Sequence, residues 1–405
     1  MVPEGWSIQR LDDLALVERG RFSARPRNDP SFFGGDTPFV QTGDVTGAST
    51  YLKRFTQTLN EEGLKVSKVF PKETILITIA ANIGETAITQ FEVACPDSVV
   101  AIQPYASKAD TYWLKKLIET KREDLDAQAT QNAQKNINLQ VLKPLAILTP
   151  PLHEQKKIAE ILSTWDQAIN ATERLLENSH ERKKGLVQQL LAGKVRLPGF
   201  QGEWAEVELD SLFRRVTTRN QGQSTNVVTI SGQQGLIRQQ EFFKKSVASA
   251  TLDGYYLLKK GQFAYNKSYS NGYPMGAIKR LNRYDDGVVT TLYICFEIAD
   301  EGAADSDFYE QYFESGLLNQ GLMQIAHEGG RAHGLLNVKP SDFFSLKVLK
   351  PPRDEQKAIA NLLVTADREL QAQKNRLERL RTEKKALMQQ LLTGRRRVKL
   401  ETEAA

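Results

Sequence analysis

The sequence is poor in the residues that hold small secreted or metal-binding domains together. Its 405 residues include two cysteines, Cys95 and Cys295, and four histidines, so neither a disulfide framework nor a zinc site with regular Cys/His spacing is predicted. It contains no run of 18 or more apolar residues, and the opening MVPEGWSIQRLDD lacks the apolar core of a signal peptide. We therefore expect a cytoplasmic protein without a metal site.

Motifs of common enzymes are also missing. The sequence has no G-x-x-x-x-G-K-[ST] phosphate loop, no G-x-G-x-x-G cofactor turn and no Asn-Pro-Pro-aromatic motif of an adenine methyltransferase. The nearest nuclease-like pattern joins Pro96–Asp97 to Glu154–Lys156, but its second part recurs at Glu355–Lys357 without a Pro-Asp partner. Metal-dependent cleavage needs carboxylates and a lysine that converge on one metal, so we assign no catalytic residues.

Positive charge is concentrated in two segments. Residues 1–150 carry 17 basic and 18 acidic side chains, and residues 198–350 carry 16 and 17. Residues 151–197 carry 8 and 6, and residues 351–405 carry 13 and 8, which gives balances of +2 and +5. A basic balance favours a nucleic-acid partner, although the two larger segments are close to neutral.

One long stretch of the sequence occurs twice. Pro150–Lys194 and Pro351–Arg395 align without a gap at an offset of 201 residues and share 21 of 45 residues. Both begin with Pro-Pro-x-x-Glu-Gln-Lys and end with Gln-Gln-Leu-Leu-x-Gly. Each copy follows a larger and less similar segment, so the layout is domain, repeat, domain, repeat.

Each repeat has the signals of one long helix. Pro151 and Pro352 suit a first helical turn, and Gly193 and Gly394 stand where a glycine ends a helix. Between these limits apolar residues recur at alternating steps of four and three, which keeps a seam facing one partner. About 41 residues at ~1.5 Å each predict a rod of ~60 Å. We assign the seam to Ile158, Leu162, Trp165, Ile169, Leu176, Leu186, Leu190, Ile359, Leu363, Leu370, Leu377, Leu380, Leu387 and Leu391.

A seam of this length has to be buried, and the nearest partner is the other copy. We expect the two helices to pair in antiparallel fashion with one globular domain at each end. The alternative is two separate amphipathic helices, each packed on its own domain. Lys183 and Lys384 occupy matching seam positions, where they either set the register of the pair or extend to solvent at a frayed end.

The two larger segments predict small mixed domains. β-branched and aromatic runs broken by Gly, Pro and Asn indicate short strands, and stretches such as DTYWLKKLIETKREDLDAQA and DFYEQYFESGLLNQGLMQIA indicate helices. The predicted fold is therefore α+β with a pseudo-two-fold internal repeat. We expect domains over residues 1–150 and 198–350, long helices over 151–197 and 351–397, and a tail over 398–405.

These features together resemble the specificity subunit of a type I DNA restriction–modification system. The resemblance is carried by the two proline–EQ–K–IA helices, the QQLLAGKVRLPGF exit at Gln188–Phe200 and the PEGW opening. It implies that the two domains are target recognition domains, each reading one half of an asymmetric bipartite DNA site. It also implies that the paired helices form a coiled coil that sets the spacing.

The resemblance has further implications for partners and cofactors. Double-stranded DNA, methyltransferase subunits (we expect two) and restriction–translocase subunits are the implied partners. The subunit itself is implied to be non-catalytic and to bind no cofactor, with S-adenosylmethionine, ATP and Mg²⁺ used by other subunits of the endonuclease and adenine-N6 methyltransferase complex. A bacterial or archaeal cytoplasm is the implied location.

Candidate DNA contacts lie in polar stretches broken by glycine and proline, where Arg suits guanine and Asn or Gln suits adenine. The alternative for each residue is an ordinary solvated loop position. The candidates are Arg19, Arg21, Arg25, Arg27, Gln131, Asn132 and Lys135 in the first domain and Arg214, Arg215, Arg219, Lys267, Tyr269, Arg331 and His333 in the second.

A different class of function stays open at this point, namely a coiled-coil scaffold that joins proteins without reading DNA. Apolar helix positions outside the seam, including Ile161, Leu175 and Val187, are predicted either to dock partner subunits or to pad the seam.

Overall fold

The computed structural model describes residues 2–80, 82–129, 136–242, 251–328 and 336–399. Its contacts divide the chain into two compact units. The N-terminal unit combines residues 1–172 with 376–405, and the C-terminal unit comprises residues 173–375. Each unit therefore contains one globular segment and half of each repeated helix. Within the described ranges, no helix has the length and apolar character needed to cross a membrane.

The N-terminal unit is built on two mixed sheets. One has the strand order β2-β10-β7-β8-β4 and the other β5-β3-β9-β6, while β1 and β11 pair separately. The strands are β1 Ser7–Arg10, β2 Ala15–Arg19, β3 Phe33–Phe39, β4 Tyr51–Leu52, β5 Gln57–Leu59, β6 Val69–Phe70, β7 Ile75–Thr78, β8 Thr86–Thr89, β9 Val93–Ala94, β10 Val99–Pro104 and β11 Ala146–Thr149. The helices are α1 Leu11–Leu14, α2 Thr42–Thr46, α3 Glu61–Lys65, α4 Thr111–Thr120, α5 Arg122–Ala129 and α6 Leu139–Leu142.

Helix α4 shows how the sequence specifies these elements. Its N-cap is Asp110, whose side chain accepts a hydrogen bond from the Trp113 backbone N–H at 2.9 Å, which satisfies one of the free donors of the first turn. Trp113 and Leu117 belong to the same buried cluster as Ile75 and Val100 of the larger sheet. The helix therefore covers this sheet, and the strands beneath it are apolar on both faces.

The C-terminal unit has the same central arrangement, but the strands around it are organised differently. Its main sheet is antiparallel with the order β13-β20-β17-β18, and four two-stranded pairs complete it. The strands are β12 Ala205–Glu208, β13 Phe213–Val216, β14 Val228–Ser231, β15 Gly235–Arg238, β16 Tyr256–Lys259, β17 Phe263–Asn266, β18 Ala277–Arg280, β19 Asp286–Val289, β20 Ile294–Ile298, β21 His327–Glu328, β22 Leu336–Asn337 and β23 Lys347–Lys350. The helices are α7 Gln239–Phe242, α8 Ser306–Glu314, α9 Asn319–Ile325 and α10 Pro340–Phe344.

The internal repeat extends into the sheets. Strands β2-β10-β7-β8 and β13-β20-β17-β18 follow the same order, and in both units a helix follows the second strand of that series, α4 after β10 and α8 after β20. The first and last strands also pair alike, β1 with β11 and β12 with β23. The expected α+β fold with a diverged repeat is confirmed.

The two repeats form the long helices Leu152–Leu190 and Arg353–Leu391, each of 39 residues. We name them the first and second long helix. Gly193 and Gly394 follow them with φ of 65° and 68°, a left-handed conformation that glycine adopts without the strain of a Cβ atom. The helices therefore begin after the proline pairs and end just before the glycines, short of the predicted limits at residues 197 and 397.

All the predicted seam residues are buried or half-buried. In the N-terminal unit, Ile158 and Leu162 share one apolar cluster with Leu387 and Leu391. In the C-terminal unit, the corresponding residues repeat this contact, as Ile359 and Leu363 share a cluster with Leu186 and Leu190. The start of one helix thus packs on the end of the other in both units, which is an antiparallel pairing. The alternative of two separate surface helices is wrong.

Candidate nucleic-acid interface

The glutamine of the repeated signature attaches each domain to a long helix. In the N-terminal unit, Gln155 Nε2 donates to the carbonyl oxygens of Pro150 at 2.9 Å and Lys108 at 3.0 Å, and Gln155 Oε1 accepts from the Asp110 N–H at 2.9 Å. The side chain is 1% exposed. Since Asp110 is also the N-cap of α4, this amide ties the start of α4 to the start of the first long helix.

The C-terminal unit contains the same attachment. Gln356 Nε2 donates to the carbonyl oxygens of Pro351 at 2.9 Å and Ala303 at 3.0 Å, and its Oε1 accepts from the Asp305 N–H at 2.8 Å. Asp305 is the N-cap of α8. The Glu-Gln pair is thus repeated because the same junction is built twice.

The preceding glutamate binds a tryptophan and an arginine. In the N-terminal unit, Trp6 Nε1 donates to the buried Glu154 carboxylate at 3.2 Å, and Arg397 binds it through Nε at 3.0 Å and through Nη2. Arg397 Nη1 also donates to the Glu4 carbonyl oxygen at 2.8 Å. Arg397 of the basic tail therefore fastens the N-terminal segment and is engaged within the protein.

The C-terminal unit repeats this cluster with Glu355, Trp204 and Arg196. Trp204 Nε1 donates to Glu355 at 2.9 Å, and Arg196 donates through Nε at 2.6 Å and Nη2 at 2.5 Å. Glu355 is fully buried, and the Arg196 guanidinium lies over the Trp204 ring at 5.4 Å. These paired and hydrogen-bonded charges avoid the high cost of burying a lone carboxylate.

These attachments define two ends of each main sheet. In the N-terminal unit, β10 runs from Val99 to Pro104 and then leads to Lys108 and Asp110 at the long helix. We call this the mounting end. At the other end, the loop end, β2 finishes at Arg19, and β7 finishes where its connection to β8 begins. The C-terminal unit has the same polarity, because β20 leads from its loop end to Ala303 and Asp305 at Gln356.

Four predicted arginines lie at the loop end of the N-terminal unit, and all are exposed. Arg19 donates through Nε to the Asp97 carbonyl oxygen, and Arg27 forms an ion pair with the Asp97 carboxylate at 2.8 Å. Arg21 donates to the Ser67 carbonyl oxygen at 2.8 Å, and Arg25 donates to that of Ala24 at 2.7 Å. A guanidinium has five N–H donors, so each arginine keeps donors for phosphate or base edges after these contacts.

The other candidates of this unit, Gln131, Asn132 and Lys135, lie outside the described residues. The chain after them returns to the loop end, because the Ile137 N–H donates to the Ile79 carbonyl oxygen at 3.0 Å. Ile79 directly follows β7, so this segment rejoins the fold beside the β7–β8 connection.

The C-terminal unit returns its chain at the equivalent place. Arg331 and His333 lie outside the described residues, and the Leu336 N–H that follows them donates to the Lys267 carbonyl oxygen at 3.0 Å. Lys267 itself directly follows β17 and is half-buried, and this burial lowers its pKa. Tyr269 in the same β17–β18 connection is 64% exposed.

The three other arginines predicted as DNA contacts in the C-terminal unit do not form one cluster. Arg219 leaves β13 at the loop end, lies over the Tyr256 ring at 5.0 Å and donates to the Gly254 carbonyl oxygen. Arg215 is exposed within β13. Arg214 lies toward the mounting end, where it forms an exposed ion pair with Glu297 at 2.6 Å. Of the three, only Arg219 therefore lies at the same end of the sheet as Lys267 and Tyr269.

Comparison with known proteins assigns this architecture. The family of the type I restriction modification DNA specificity domain matches residues 3–178. The MjaVIII type I restriction enzyme specificity subunit of Methanocaldococcus jannaschii is 22% identical over 434 residues, which cover 98% of this chain and 94% of that protein.

Solved structures agree over almost the full length. The S subunit of a type I restriction–modification system from M. genitalium superposes with a TM-score of 0.60 at 14% identity and covers 99% of this chain and 97% of its own. A chain from a structure on complex assembly and conformational transition of a type I system gives a TM-score of 0.56 at 15% identity, with coverage of 97% and 98%. At these identities the structural matches show the fold. Together with the family match over residues 3–178, they make the chain similar to the specificity subunits of type I restriction–modification systems in sequence and in fold.

Proposed function

We propose that each unit reads one half of an asymmetric bipartite DNA site through its loop end, and that the two long helices set the distance between the half-sites. The chain is proposed to act without catalysis of its own, in a complex with two methyltransferase subunits and with restriction–translocase subunits. S-adenosylmethionine, ATP and Mg²⁺ are proposed to bind to those partners.

The observation that carries this proposal is one geometry built twice with different side chains at its loop end. The N-terminal unit presents an arginine-rich loop, whereas the C-terminal unit presents Arg219, Lys267 and Tyr269. Arginine reads guanine through paired donors, and an exposed aromatic ring stacks on or packs against bases. Two different surfaces on one scaffold predict two different half-sites.

The helix faces outside the seam support a docking role mainly at Leu175. This side chain is 53% exposed on the first long helix. Ile161 and Val187 instead pack against the apolar clusters of their own units. This agrees with the alternative that these two side chains pad the seam. We therefore propose Leu175 as part of the surface that partner subunits cover.

Methylated-base mapping in cells with and without the gene tests the proposed function. We expect a bipartite adenine-methylated motif that disappears when the gene is deleted and returns when it is supplied on a plasmid. An unchanged methylation pattern, combined with intact assembly of the partner subunits, contradicts DNA reading and favours the scaffold function.

A further inference from the structure

The long helices carry a second repeated set of residues outside the Glu-Gln signature. Asp166 and Asp367 occupy the same position of the repeat, as do Lys183 and Lys384. In the N-terminal unit, Lys384 Nζ donates to the Asp166 carboxylate. In the C-terminal unit, Lys183 Nζ donates to the Asp367 carboxylate. The two lysines of the seam thus make reciprocal ion pairs between the helices. This favours the alternative that they set the register of the helix pair over the alternative that they extend to solvent at a frayed end.

Asp166 also binds the globular part of its unit. It accepts hydrogen bonds from Tyr112 Oη and from Thr50 Oγ1 at 3.2 Å, and Lys116 Nζ forms an ion pair with it at 3.0 Å. Tyr112 and Lys116 lie on α4, and Thr50 directly precedes β4. One carboxylate therefore joins the first long helix, the second long helix and the domain.

The electrostatic balance at Asp166 favours its ionised form. Burial by itself would raise the pKa of the carboxyl, but the charges of Lys116 and Lys384 and the hydrogen bond from Tyr112 outweigh it, so this pKa lies well below its usual range. Lys116 has 4% and Lys384 13% of its side chain exposed. Loss of the carboxylate charge leaves two lysines close together in a mostly buried position, which is unfavourable.

Asp367 makes the equivalent junction with a neutral donor. Gln311 Nε2 donates to it at 2.8 Å. Gln311 stands six residues after the α8 N-cap Asp305, as Lys116 stands six residues after the α4 N-cap Asp110. The same position of the same helix therefore binds the same aspartate in both units, once through an ammonium group and once through an amide.

We propose that Asp166 and Asp367 are positioning residues, which hold each domain at a fixed angle on the helix pair of its unit and so limit the number of base pairs allowed between the half-sites. This inference rests on the proposed function. The Gln155 and Gln356 contacts attach each domain at one point near the helix start. A second attachment about three helical turns along the helix, at Asp166 or Asp367, prevents rotation about the first.

Selection from DNA with half-sites separated by variable gaps tests this inference on the chain in complex with its methyltransferase partner. We expect Asp166→Asn to raise the share of selected sites with a non-preferred gap about tenfold, which corresponds to ~1.4 kcal/mol, while the bases of both half-sites stay the same. The matched control is Glu160→Gln on the same helix, because Glu160 is 65% exposed and pairs with Lys157 alone among the described ion pairs. This control should leave the gap distribution unchanged.

A second pair of variants, at Lys116, tests the same inference if the Asp166→Asn chain does not fold. Lys116→Met removes the domain's ion pair and leaves the Asp166–Lys384 pair, so it should broaden the gap distribution. Lys116→Gln supplies the amide that the C-terminal unit uses at this position, so it should restore the wild-type distribution. A folded Lys116→Met chain with an unchanged gap distribution overturns the inference. If the wild-type complex selects no bipartite site, the proposed function itself fails.

Discussion

Gln356 is fully buried, and its amide makes three hydrogen bonds at the junction of α8 with the second long helix. Lys357, the next residue of the repeated signature, is exposed. Two neighbouring side chains of one motif therefore differ in how much they are expected to contribute to the stability of the fold. The glutamine holds a junction, whereas the lysine faces solvent and is available for a contact outside the chain.

This difference predicts unequal effects of two substitutions. Gln356→Met leaves the Asp305 N–H and two carbonyl oxygens without their partner, and at 1–3 kcal/mol for each unsatisfied group we expect a loss of about 3 kcal/mol in the free energy of unfolding. Lys357→Met should change it by less than about 0.5 kcal/mol. Urea unfolding of the two variants measures both values, and equal destabilisation would show that the junction is not the reason for the motif.

Lys115 gives a prediction for the dependence of stability on pH. Its side chain is fully buried, its Nζ donates to Glu119 and to the Ser49 carbonyl oxygen at 3.3 Å, and burial lowers its pKa from 10.5 to about 8. Because this pKa is lower in the folded state, the charged form destabilises the fold. That penalty is complete below about pH 8 and is relieved as the pH rises toward 10.5.

Lys115→Met removes the buried charge and keeps an apolar chain of similar length. We therefore expect the free energy of unfolding of this variant, relative to the wild type, to be most favourable at pH 7 and to decline by pH 10. Glu119 keeps an ion pair with Lys116 in the variant. Urea unfolding of both proteins at the two pH values gives the comparison, and a difference that is independent of pH contradicts the assigned pKa.

At the scale of whole elements, the proposed function predicts that the length of the long helices determines the gap between the half-sites. Four helix-forming residues inserted after Thr172 and four after Gln373 should lengthen each helix by ~6 Å. Both insertions lie between the aspartate and the lysine of the same helix, so both reciprocal ion pairs remain in register. The preferred gap between half-sites should then increase by one or two base pairs, since one base step is ~3.4 Å.

A single insertion provides the control for the matched pair. It shifts one helix against the other, so one of the pairs Asp166–Lys384 and Asp367–Lys183 loses its register, and stability should fall. Added base pairs also rotate one half-site about the duplex, so the affinity of the doubly inserted chain is expected to drop. An unchanged gap at full affinity would show that the helices do not set the distance.

The long helices were predictable because their signals are local. The proline pair, the four–three spacing and the terminal glycine are each read within one continuous stretch, and the limits near Leu152 and Leu190 follow from them. The exposed arginines of the N-terminal unit were predictable for the same reason, since Gly20 and Pro26 interrupt their segment.

The junctions were not predictable, because they depend on residues far apart in the chain. Trp6 and Glu154 are separated by 148 positions and Glu154 and Arg397 by 243. The repeat showed that Glu154 and Glu355 matter in both copies, but it did not show their partners. From the sequence, the arginines near the C-terminus counted only as part of an excess of positive charge. In the structure, Arg397 has a specific partner, the Glu154 carboxylate. The pairing of β10 with β2 and β7 also depends on contacts between distant segments.

At the scale of the whole molecule, the weak overall charge bears on DNA binding. The net charge is +5 over 405 residues, and the larger segments of the sequence are nearly neutral, so the chain alone should bind DNA weakly. Phosphate contacts dominate such binding, so it should weaken steeply as salt rises. Addition of the methyltransferase subunit should tighten binding and sharpen the preference for the bipartite site. Equal affinity and specificity with and without that subunit would contradict this division of roles.

Exchange of one domain is the sharpest test of independent reading by the two units, because each unit attaches its own sheet to a long helix through its own Glu-Gln junction. Residues 1–150 are replaced by the matching segment of a relative that retains the tryptophan equivalent to Trp6, which binds Glu154. The assembled complex is then used to select DNA from a randomised pool. We predict new bases in one half-site, with the other half-site and the gap between them unchanged. Altered bases in both half-sites, or in neither, would contradict independent reading by the two units.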